Sequence, residues 1–206
     1  MILETLCLGP LETNCYILAA STASAAIIID PGSDVRAIRQ VLKKHKLTPA
    51  FIINTHGHYD HIACDDKFGV PVYVHRLDEA LLKDSRLNLS AVFGLGFSVK
   101  SQIRVLEDGD KVKLDPIKLE VRHIPGHTPG GIALLMEEPV SRIVFTGDSL
   151  FCQSIGRTDL AGGNQKALVE AIKSKLLVLP DDTVVYPGHG SSSTIGAEKR
   201  SNPFLG

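Results

Sequence analysis

The segment at residues 55–61, Thr-His-Gly-His-Tyr-Asp-His, most constrains what this chain can fold into. It carries four potential metal ligands within six residues, in the order His-x-His-x-Asp-His. The apolar run at residues 50–53 comes immediately before it and predicts a short buried strand. Histidine nitrogen and aspartate oxygen bind zinc and similar divalent ions directly, so a strand that ends in this cluster predicts a metal site. The alternative, a polar loop with coincidental histidines, is disfavoured by the spacing.

The same arrangement of an apolar run, a sharp Gly or Pro turn and a ligand-type side chain occurs four more times along the chain. The ligand-type residues at these four turns are Asp30, His127, Asp148 and His189. In sheets with helices on their faces, ligands gather outside one end of the strands. We therefore expect five strand ends to converge on a single cleft.

The His56-x-His58-x-Asp60-His61 motif, followed in order by His127, Asp148 and His189, resembles the metallo-β-lactamase superfamily. Residues 9–16, 145–148 and 187–190 are similar to the glyoxalase II (hydroxyacylglutathione hydrolase) branch, and the tail at residues 194–204 resembles its short, single-domain bacterial members. The resemblance covers nearly the whole chain. It implies an α/β fold of the αββα type, in which two mixed β-sheets pack face to face with helices on the outer faces, as one domain over residues 1–206.

The resemblance also implies a role for each ligand. His56, His58 and His127 would hold a first metal ion, Asp60, His61 and His189 a second, and Asp148 would bridge the two. The spacing within the motif agrees, because its first two histidines can point the same way and its last two ligands towards a second ion. The implied cofactor is a pair of divalent ions, with zinc preferred and iron or manganese also suited to these ligands. Asp30 would support the site from behind; its alternative role is that of a turn former.

The chemistry of such a pair predicts a hydrolase. Asp60, Asp148 and a bridging hydroxide would neutralise three of the four charges of two divalent ions, and the remaining charge would polarise a carbonyl group and stabilise an oxyanion. Asp60 and Asp148 are therefore the candidate catalytic carboxylates. A water molecule bound to such an ion has its pKa lowered to about 7, which makes hydroxide available without a separate base. We expect hydrolysis of an activated acyl bond, and the glyoxalase II resemblance points to a small-molecule thioester of the glutathione type.

The chain departs from full-length glyoxalase II in two places that concern the substrate. That family has an extra C-terminal helical segment that helps to bind glutathione, and with 17 residues after His189 we expect this chain to bind its substrate without it. The loop after the bridging aspartate carries a Lys and, two residues later, a Tyr in that family; here Arg157 keeps the positive charge and Asp159 takes the other position. Arg157 is therefore a candidate for binding a substrate carboxylate. The alternative is an internal pair with Asp159.

Other functions of the same fold remain open. The Gly156–Asp159 run also occurs in persulfide dioxygenases, which hold one iron ion by two histidines and an aspartate. A lactonase or another ester hydrolase would use the same ligands. A true β-lactamase is less expected, because many of those place a cysteine in the second metal site, where this chain offers Asp148. A binding module without activity would have lost ligands, and all seven are present.

Composition limits the classes of partner and the location that we expect for this protein. The net charge of −1 argues against nucleic acid as the main partner. No apolar run approaches the roughly 18 residues of a membrane span, and no export signal opens the chain, so we expect a cytoplasmic protein without a membrane partner. The oligomeric state stays open. The four cysteines are expected to be buried small side chains and not disulfides.

Hydrophobic periodicity predicts alternating strands and helices. Strands are expected near Thr13–Ala19, Ala25–Asp30 and residues 71–75. Helices are expected after Ser33 as N-cap, over Asp78–Lys83 and over residues 165–177. Residues 88–101 fit no period, which favours either a loop that overhangs the cleft or plain irregular packing. Among the remaining histidines, His45 is expected in solvent and His123 in a packing role. His75 is expected in a structural role, and a place at the rim of the cleft is its alternative.

Overall fold

The computed structural model describes residues 1–139 and 142–206 and consists of two six-stranded sheets packed face to face. In the first sheet the strands follow chain order. The first two strand pairs of this sheet are antiparallel and the next three pairs are parallel, so the sheet is mixed, as predicted. The strands of this sheet are β1 (Ile2–Leu8), β2 (Thr13–Ala19), β3 (Ala25–Ile29), β4 (Thr48–Ile53), β5 (Val72–His75) and β6 (Ile103–Leu106).

The second sheet is also mixed. The later chain contains β7 (Lys111–Leu114), β8 (Ile117–His123), β9 (Ile132–Glu138), β10 (Ile143–Gly147), β11 (Leu150–Phe151), β12 (Ser154–Ile155), β13 (Val184–Pro187) and β14 (Ser193–Thr194). The order across the second sheet is β14-β13-β10-β9-β8-β7, in which β10 and β13 are parallel and the other pairs antiparallel. β11 and β12 form a separate small hairpin directly after β10.

Helices cover the outer faces of both sheets. They are α1 (Val35–His45), α2 (Tyr59–Ile62), α3 (Glu79–Lys83), α4 (Gln165–Ala171), which continues as a π-helical turn (Ile172–Leu176), and α5 (Ile195–Ser201). Short 3-10 turns lie at Asp65–Lys67 and Arg76–Asp78. Within the described residues, none of the helices has the length and apolar character needed to cross a membrane. The layers give the αββα sandwich that the family resemblance implies.

Three apolar cores correspond to these layers. Successive side chains of a strand point to opposite faces, so Ile27 and Ile29 of β3 face the second sheet and pack with Phe145 of β10. The intervening Ile28 lies in the core beneath α1, where it packs with Ile38. A third core joins α4 to the outer face of the second sheet. This double burial explains why β2, β3 and β10 read as continuous apolar runs.

The structure corrects several details of the predicted elements. The N-cap of α1 is Asp34 and not Ser33: the Asp34 carboxylate accepts a hydrogen bond from the Ala37 backbone N–H at 3.1 Å. The predicted helix at 165–177 changes to a π-helical turn after Ala171. All four cysteines are free thiols, as expected, although Cys7 and Cys152 are exposed and only the other two are buried. His45 is not solvated but half-buried, with its Nε2 2.5 Å from a Glu4 carboxylate oxygen.

His75 and His123 join the two sheets at one edge. His75 ends β5 and His123 ends β8, and their rings stack 4.0 Å apart and nearly parallel. The His123 Nε2 lies 2.8 Å from the Pro129 carbonyl oxygen, and the His75 side chain is almost fully buried. Burial and the neighbouring His123 lower the pKa of His75 to about 4. Both histidines therefore have structural positions, as predicted.

This stack predicts an acid-sensitive contribution to stability. The folded-state pKa of His75, about 4, lies below the ordinary value of about 6.5. The contribution is therefore complete above about pH 6.5 and is lost as the pH falls towards about 4. We expect His75→Phe, which can stack without binding a proton, to have a smaller decrease in the free energy of unfolding across this window. Urea denaturation of both proteins between pH 7 and pH 4 measures this difference. An equal dependence of the free energy of unfolding on pH in the two proteins would contradict the prediction.

Candidate metal centre

Seven histidine and aspartate side chains meet at one end of the sandwich, in the segments that follow β4, β8, β10 and β13. Their potential ligand atoms form groups in which all atoms lie within 4.8 Å of one another. The first ligand group is His56, His58 and His127, and the second ligand group is Asp60, His61 and His189. Both groups have the membership that the family resemblance implies. A third group of His56, His61 and Asp148 overlaps them.

Asp148 lies between the two ligand groups. One of its carboxylate oxygens, Oδ2, is 3.6 Å from His127 Nε2 of the first group and 3.5 Å from His189 Nε2 of the second. Its other oxygen is 3.4 Å from His61 Nε2. A carboxylate with two oxygens placed in this way can reach a cation in either group. Asp148 therefore has the position that a bridging ligand requires.

Backbone carbonyls orient two of the histidines. His127 Nδ1 lies 2.8 Å from the Arg157 carbonyl oxygen, and His189 Nδ1 lies 2.8 Å from the Leu11 carbonyl oxygen. A carbonyl only accepts, so each Nδ1 carries a proton, and in the neutral ring each Nε2 presents a lone pair to the cluster. Such contacts behind a metal ligand fix its tautomer and ring orientation.

Asp30 and Thr55 support the motif from behind. The Asp30 carboxylate accepts hydrogen bonds from the backbone N–H and the hydroxyl of Thr55, at 2.7 and 2.6 Å. Because the Thr55 hydroxyl donates there, it can accept from His56 Nδ1 at 3.2 Å, which leaves His56 Nε2 towards the cluster. The same Asp30 carboxylate lies 3.0 Å from His61 Nδ1. Asp30 thus contacts the back of the motif and belongs to none of the ligand groups.

The segment at residues 13–16 positions ligands although it contributes none. The Asn14 amide donates to the carbonyl oxygens of Pro187 and Gly190, at 3.0 and 2.9 Å, and so holds the loop that carries His189. The Tyr16 hydroxyl donates to the same Pro187 carbonyl, and the Thr13 hydroxyl donates to Asp60 Oδ2 at 3.1 Å. This loop also needs a glycine, because a Cβ at Gly188 would lie 2.1 Å from an Asp148 carboxylate oxygen.

Asp78 is a buried carboxylate that the sequence analysis missed. Its Oδ2 accepts from the Gly57 backbone N–H at 2.9 Å and from the Thr128 hydroxyl at 2.7 Å, and its Oδ1 accepts from the Gly130 backbone N–H at 2.6 Å. Gly57 separates His56 from His58, and Thr128 follows His127. One side chain therefore connects the two loops of the first ligand group. Nothing in the local sequence distinguishes Asp78 from an ordinary residue at a helix start.

The electrostatics of the cluster suit cations. Burial, followed by the charge of neighbouring histidines, lowers the pKa of His56 far below its ordinary value and that of His58 to about 4. These imidazoles are neutral at pH 7 and have free lone pairs. Burial raises the pKa of Asp60 and of Asp148, but the surrounding histidines outweigh it, so both carboxyl pKa values are lowered. Neutral imidazole and ionised carboxylate are the forms that bind metal.

Two buried acceptor atoms also indicate that the cluster is suited to a cation. His56 Nε2 and Asp148 Oδ1 are inaccessible to solvent and have no hydrogen-bond partner among the described residues. A lone pair and a carboxylate oxygen are both acceptors, so they cannot satisfy each other, and buried groups of this kind are costly without a partner. A divalent cation would satisfy both. The residues present therefore fit a metal centre.

A cavity of about 230 Å³, here called the metal cavity, opens onto the cluster. Arg157 lies in its wall, and its guanidinium forms two hydrogen bonds with the Asp159 carboxylate, at 2.7 and 2.8 Å. The Arg157 side chain is 62% exposed, so a ligand can reach it. The loop at residues 88–101 also contributes, since Leu89 and Phe93 line the cavity. Of its two predicted arrangements, the loop has the one that overhangs the cleft.

The position of Asp78 yields a prediction about the first ligand group. Asp78→Asn replaces an accepting oxygen by a donating amide, so at least one of the three donors loses its partner. We expect metal affinity to fall by about 10- to 100-fold, as for other residues that orient metal ligands. Metal content after dialysis against graded chelator concentrations measures this.

A matched control for Asp78→Asn is Asp66→Asn. The Asp66 carboxylate also accepts several hydrogen bonds, from the backbone of Lys100 and Ser101 and from the Ser101 hydroxyl, but it lies outside the ligand groups. We expect Asp66→Asn to retain metal as the unmodified protein does. Equal metal loss in both variants would show that Asp78 has no particular role in holding the site.

Comparison with known proteins agrees with the fold and the site. A family model described as the metallo-β-lactamase superfamily matches residues 8–189. The probable metallo-hydrolase YqgX of Bacillus subtilis is 38% identical, with 96% of this chain and 94% of that protein covered. The hydroxyacylglutathione hydrolase GloC of Haemophilus influenzae is 36% identical, with 100% of this chain and 98% of that protein covered.

Solved structures with the same fold cover the chain almost completely. BLEG-1, a B3 metallo-β-lactamase, has a TM-score of 0.90 at 39% identity, with 99% of both chains covered. TTHA1623, solved in a di-iron-bound form, has a TM-score of 0.82 at 36% identity, with 100% of both chains covered. ETHE1 from Myxococcus xanthus has a TM-score of 0.79 at 29% identity, over 98% of this chain and 84% of that one. The chain belongs to the metallo-β-lactamase superfamily, whose members bind divalent metal ions.

Proposed function

We propose that this protein is a metal-dependent hydrolase that holds two divalent ions and cleaves an activated acyl bond, in the first place a glutathione-type thioester. The observation that carries the proposal is the position of Asp148 between two three-residue ligand groups, within 3.6 Å of a histidine nitrogen in each. A single ion would leave one of these groups as a buried set of acceptors and carboxylates without a compensating charge.

The residues of the site have separate tasks in this proposal. His56, His58 and His127 would hold one ion, and Asp60, His61 and His189 the other, with Asp148 shared. Ions bound here supply a nucleophile from water at neutral pH and polarise the substrate carbonyl. Asp60 and Asp148 limit the net charge of the pair, so that the charge that remains favours a negative carbonyl oxygen over a neutral one. Asp30, Thr55 and Asp78 keep the ligands in place during turnover.

The thiol part of the substrate is inferred from Arg157 and from the relatives. Arg157 lines the metal cavity and already holds a carboxylate, that of Asp159, by two parallel hydrogen bonds. A glutathione carboxylate could replace Asp159 with the same geometry. The name of the Haemophilus influenzae relative, a hydroxyacylglutathione hydrolase, supports this substrate class. The iron of TTHA1623 supports iron beside zinc as a metal for the site.

Two further functions are supported by specific observations. The similarity to BLEG-1 over 99% of the chain favours β-lactam hydrolysis, in which the same centre would attack a strained amide carbonyl. The Gly156–Asp159 run and a set of two histidines and one carboxylate within the site favour a mononuclear iron persulfide dioxygenase. Lactones and other esters would be cleaved by the chemistry proposed for thioesters. The first test therefore includes a persulfide beside the thioester.

The first test combines metal content with turnover. Protein purified without chelators should contain close to two equivalents of zinc, iron or manganese and should hydrolyse S-lactoylglutathione. Asp148→Ala should lose at least one equivalent and most of kcat with the fold retained, because Asp148 connects the two groups. Asp182→Ala, an exposed aspartate outside the site, serves as control. One robust equivalent of iron, with oxygen uptake on a persulfide, would replace the hydrolase by the dioxygenase.

The second test concerns Arg157. A hydrogen bond to a charged group contributes about 1.5–3 kcal/mol, so Arg157→Ala should raise KM for S-lactoylglutathione by about 10- to 100-fold. A short uncharged thioester should be nearly unaffected, because it has no carboxylate to bind. Arg86→Ala is the matched control, since Arg86 forms a similar exposed pair with Asp84 away from the metal cavity. Equal losses on both substrates, or a fall in Tm, would assign Arg157 to loop structure instead.

A further inference from the structure

A second cavity of about 340 Å³, here called the apolar cavity, lies beside the metal cavity. The two cavities share four wall residues, Leu11, Tyr59, Asp60 and Phe93. Asp60 belongs to the second ligand group. The two cavities therefore adjoin next to the second ligand group, and a molecule with its reacting carbonyl at the metal centre has the apolar cavity beside it.

The two cavities differ in chemistry. The residues that line only the apolar cavity include Leu8, Pro10, Ala63 and Leu95. Its one charged lining residue is Asp60, whose Oδ2 faces the metal ligands and accepts the Thr13 hydroxyl at 3.1 Å. Among the described residues, no lysine, arginine or histidine lines this cavity. It therefore offers little to a charged group and a large contact area to a hydrocarbon group.

The apolar wall reaches the protein surface at its rim. Leu11, Phe93 and Leu95 belong to the large hydrophobic side chains that remain exposed. Phe93 packs on Tyr59 with ring centroids 4.7 Å apart. This contact holds the loop at residues 88–101 at the wall of the cavity. Exposed apolar side chains grouped around a concave site are typical of ligand binding and unfavourable without it.

The two parts of a thioester match the two cavities. Its carbonyl separates an acyl part from a thiol part, and the thiol part of glutathione carries the carboxylates. Arg157 lines the metal cavity and not the apolar cavity. If the carboxylates lie on the side of Arg157, the acyl part is directed to the apolar side.

We propose that the apolar cavity binds the acyl group of the substrate and selects apolar acyl chains of several carbons over acetyl or short hydroxyacyl groups. The inference rests on the proposed thioester hydrolysis and names its substrate class. The volume of about 340 Å³ falls within the usual range of ligand pockets, about 300–1,000 Å³. Each methylene that enters contributes up to about a fourfold gain in kcat/KM.

The test is a chain-length series on the holoenzyme. Acetyl, butanoyl and hexanoyl thioesters of glutathione keep the thiol part constant and vary only the acyl part. We expect kcat/KM for hexanoyl to exceed that for acetyl by at least about tenfold, which requires burial of only part of the four added methylenes. Equal kcat/KM across a series that is hydrolysed would overturn the acyl cavity and leave the proposed function intact. No hydrolysis of any member by protein that hydrolyses S-lactoylglutathione would overturn the acyl cavity alone, and no hydrolysis of any of the four thioesters would overturn both.

A pair of matched variants locates the effect. Leu95→Asp introduces a charge into the apolar cavity at a side chain that is 58% exposed, and Val178→Asp makes the same change at one that is 65% exposed and lies in neither cavity. We expect the hexanoyl to acetyl ratio to fall at least about fivefold in Leu95→Asp and to stay unchanged in Val178→Asp. An unchanged ratio in both variants would remove Leu95 and the apolar cavity from acyl selection.

A binding measurement separates recognition from turnover. S-Hexylglutathione and S-methylglutathione are thioethers that carry an alkyl group in place of the acyl group and cannot be hydrolysed. Titration calorimetry should give at least about tenfold tighter binding of the hexyl compound, and Leu95→Asp should reduce this preference. Equal dissociation constants for the two thioethers in the unmodified protein would contradict the proposal, whatever the turnover data.

Discussion

The convergence of five imidazoles and two carboxylates at one end of the sandwich, four of the imidazoles buried, is the constraint on which the rest of the site depends. Groups that only accept hydrogen bonds, such as the Asp148 oxygens and the inward nitrogen of His56, cannot satisfy one another. Without cations, His61 balances the negative charge by holding a proton. Burial lowers the pKa of His61, but the carboxylates of Asp60, Asp148 and Asp30 outweigh burial and raise this pKa far above its ordinary value. A proton on His61 is then the charge that a metal ion would replace.

Ligands in such a cluster tend to separate or rotate, so each needs a contact behind it. These contacts come from segments that are distant in sequence: the Leu11 carbonyl behind His189, the Arg157 carbonyl behind His127 and the Asp30 carboxylate behind His61. The geometry of the centre is therefore a property of the whole sandwich and not of the His-x-His-x-Asp-His motif alone. The segment at residues 13–16 contains no metal ligand, but its hydrogen bonds hold the loop that carries His189. This segment therefore affects the position of a ligand directly.

The parts that the sequence could predict are those with local signals. An apolar run followed by a turn and a ligand-type residue is visible in a few consecutive residues, and this pattern predicts the strand ends. The αββα sandwich follows instead from the resemblance to the metallo-β-lactamase superfamily. The N-cap of α1 was missed by one residue, because Ser33 and Asp34 are both good caps and only the bond from Ala37 distinguishes them. Asp78 was missed for a different reason: its three partners lie 21, 50 and 52 residues away. Arg157 was left between two roles, and the structure has features of both, an ion pair with Asp159 and a place in the cavity wall.

The distribution of stability across the molecule explains how one centre can serve different substrates. The metal ligands follow strands whose side chains fill the three cores, so packing of those cores fixes the backbone positions of the ligands. Parts of the walls of the two cavities come instead from loops, and loop residues such as Leu11, Phe93 and Leu95 are exposed and contribute little to any core. Substitution at such positions usually changes stability by no more than about 0.5 kcal/mol. Loop residues can therefore change the preferred acyl or thiol group while the ligand set and the sandwich stay the same, which is why fold and metal ligands define the superfamily and the cavity walls must define the substrate.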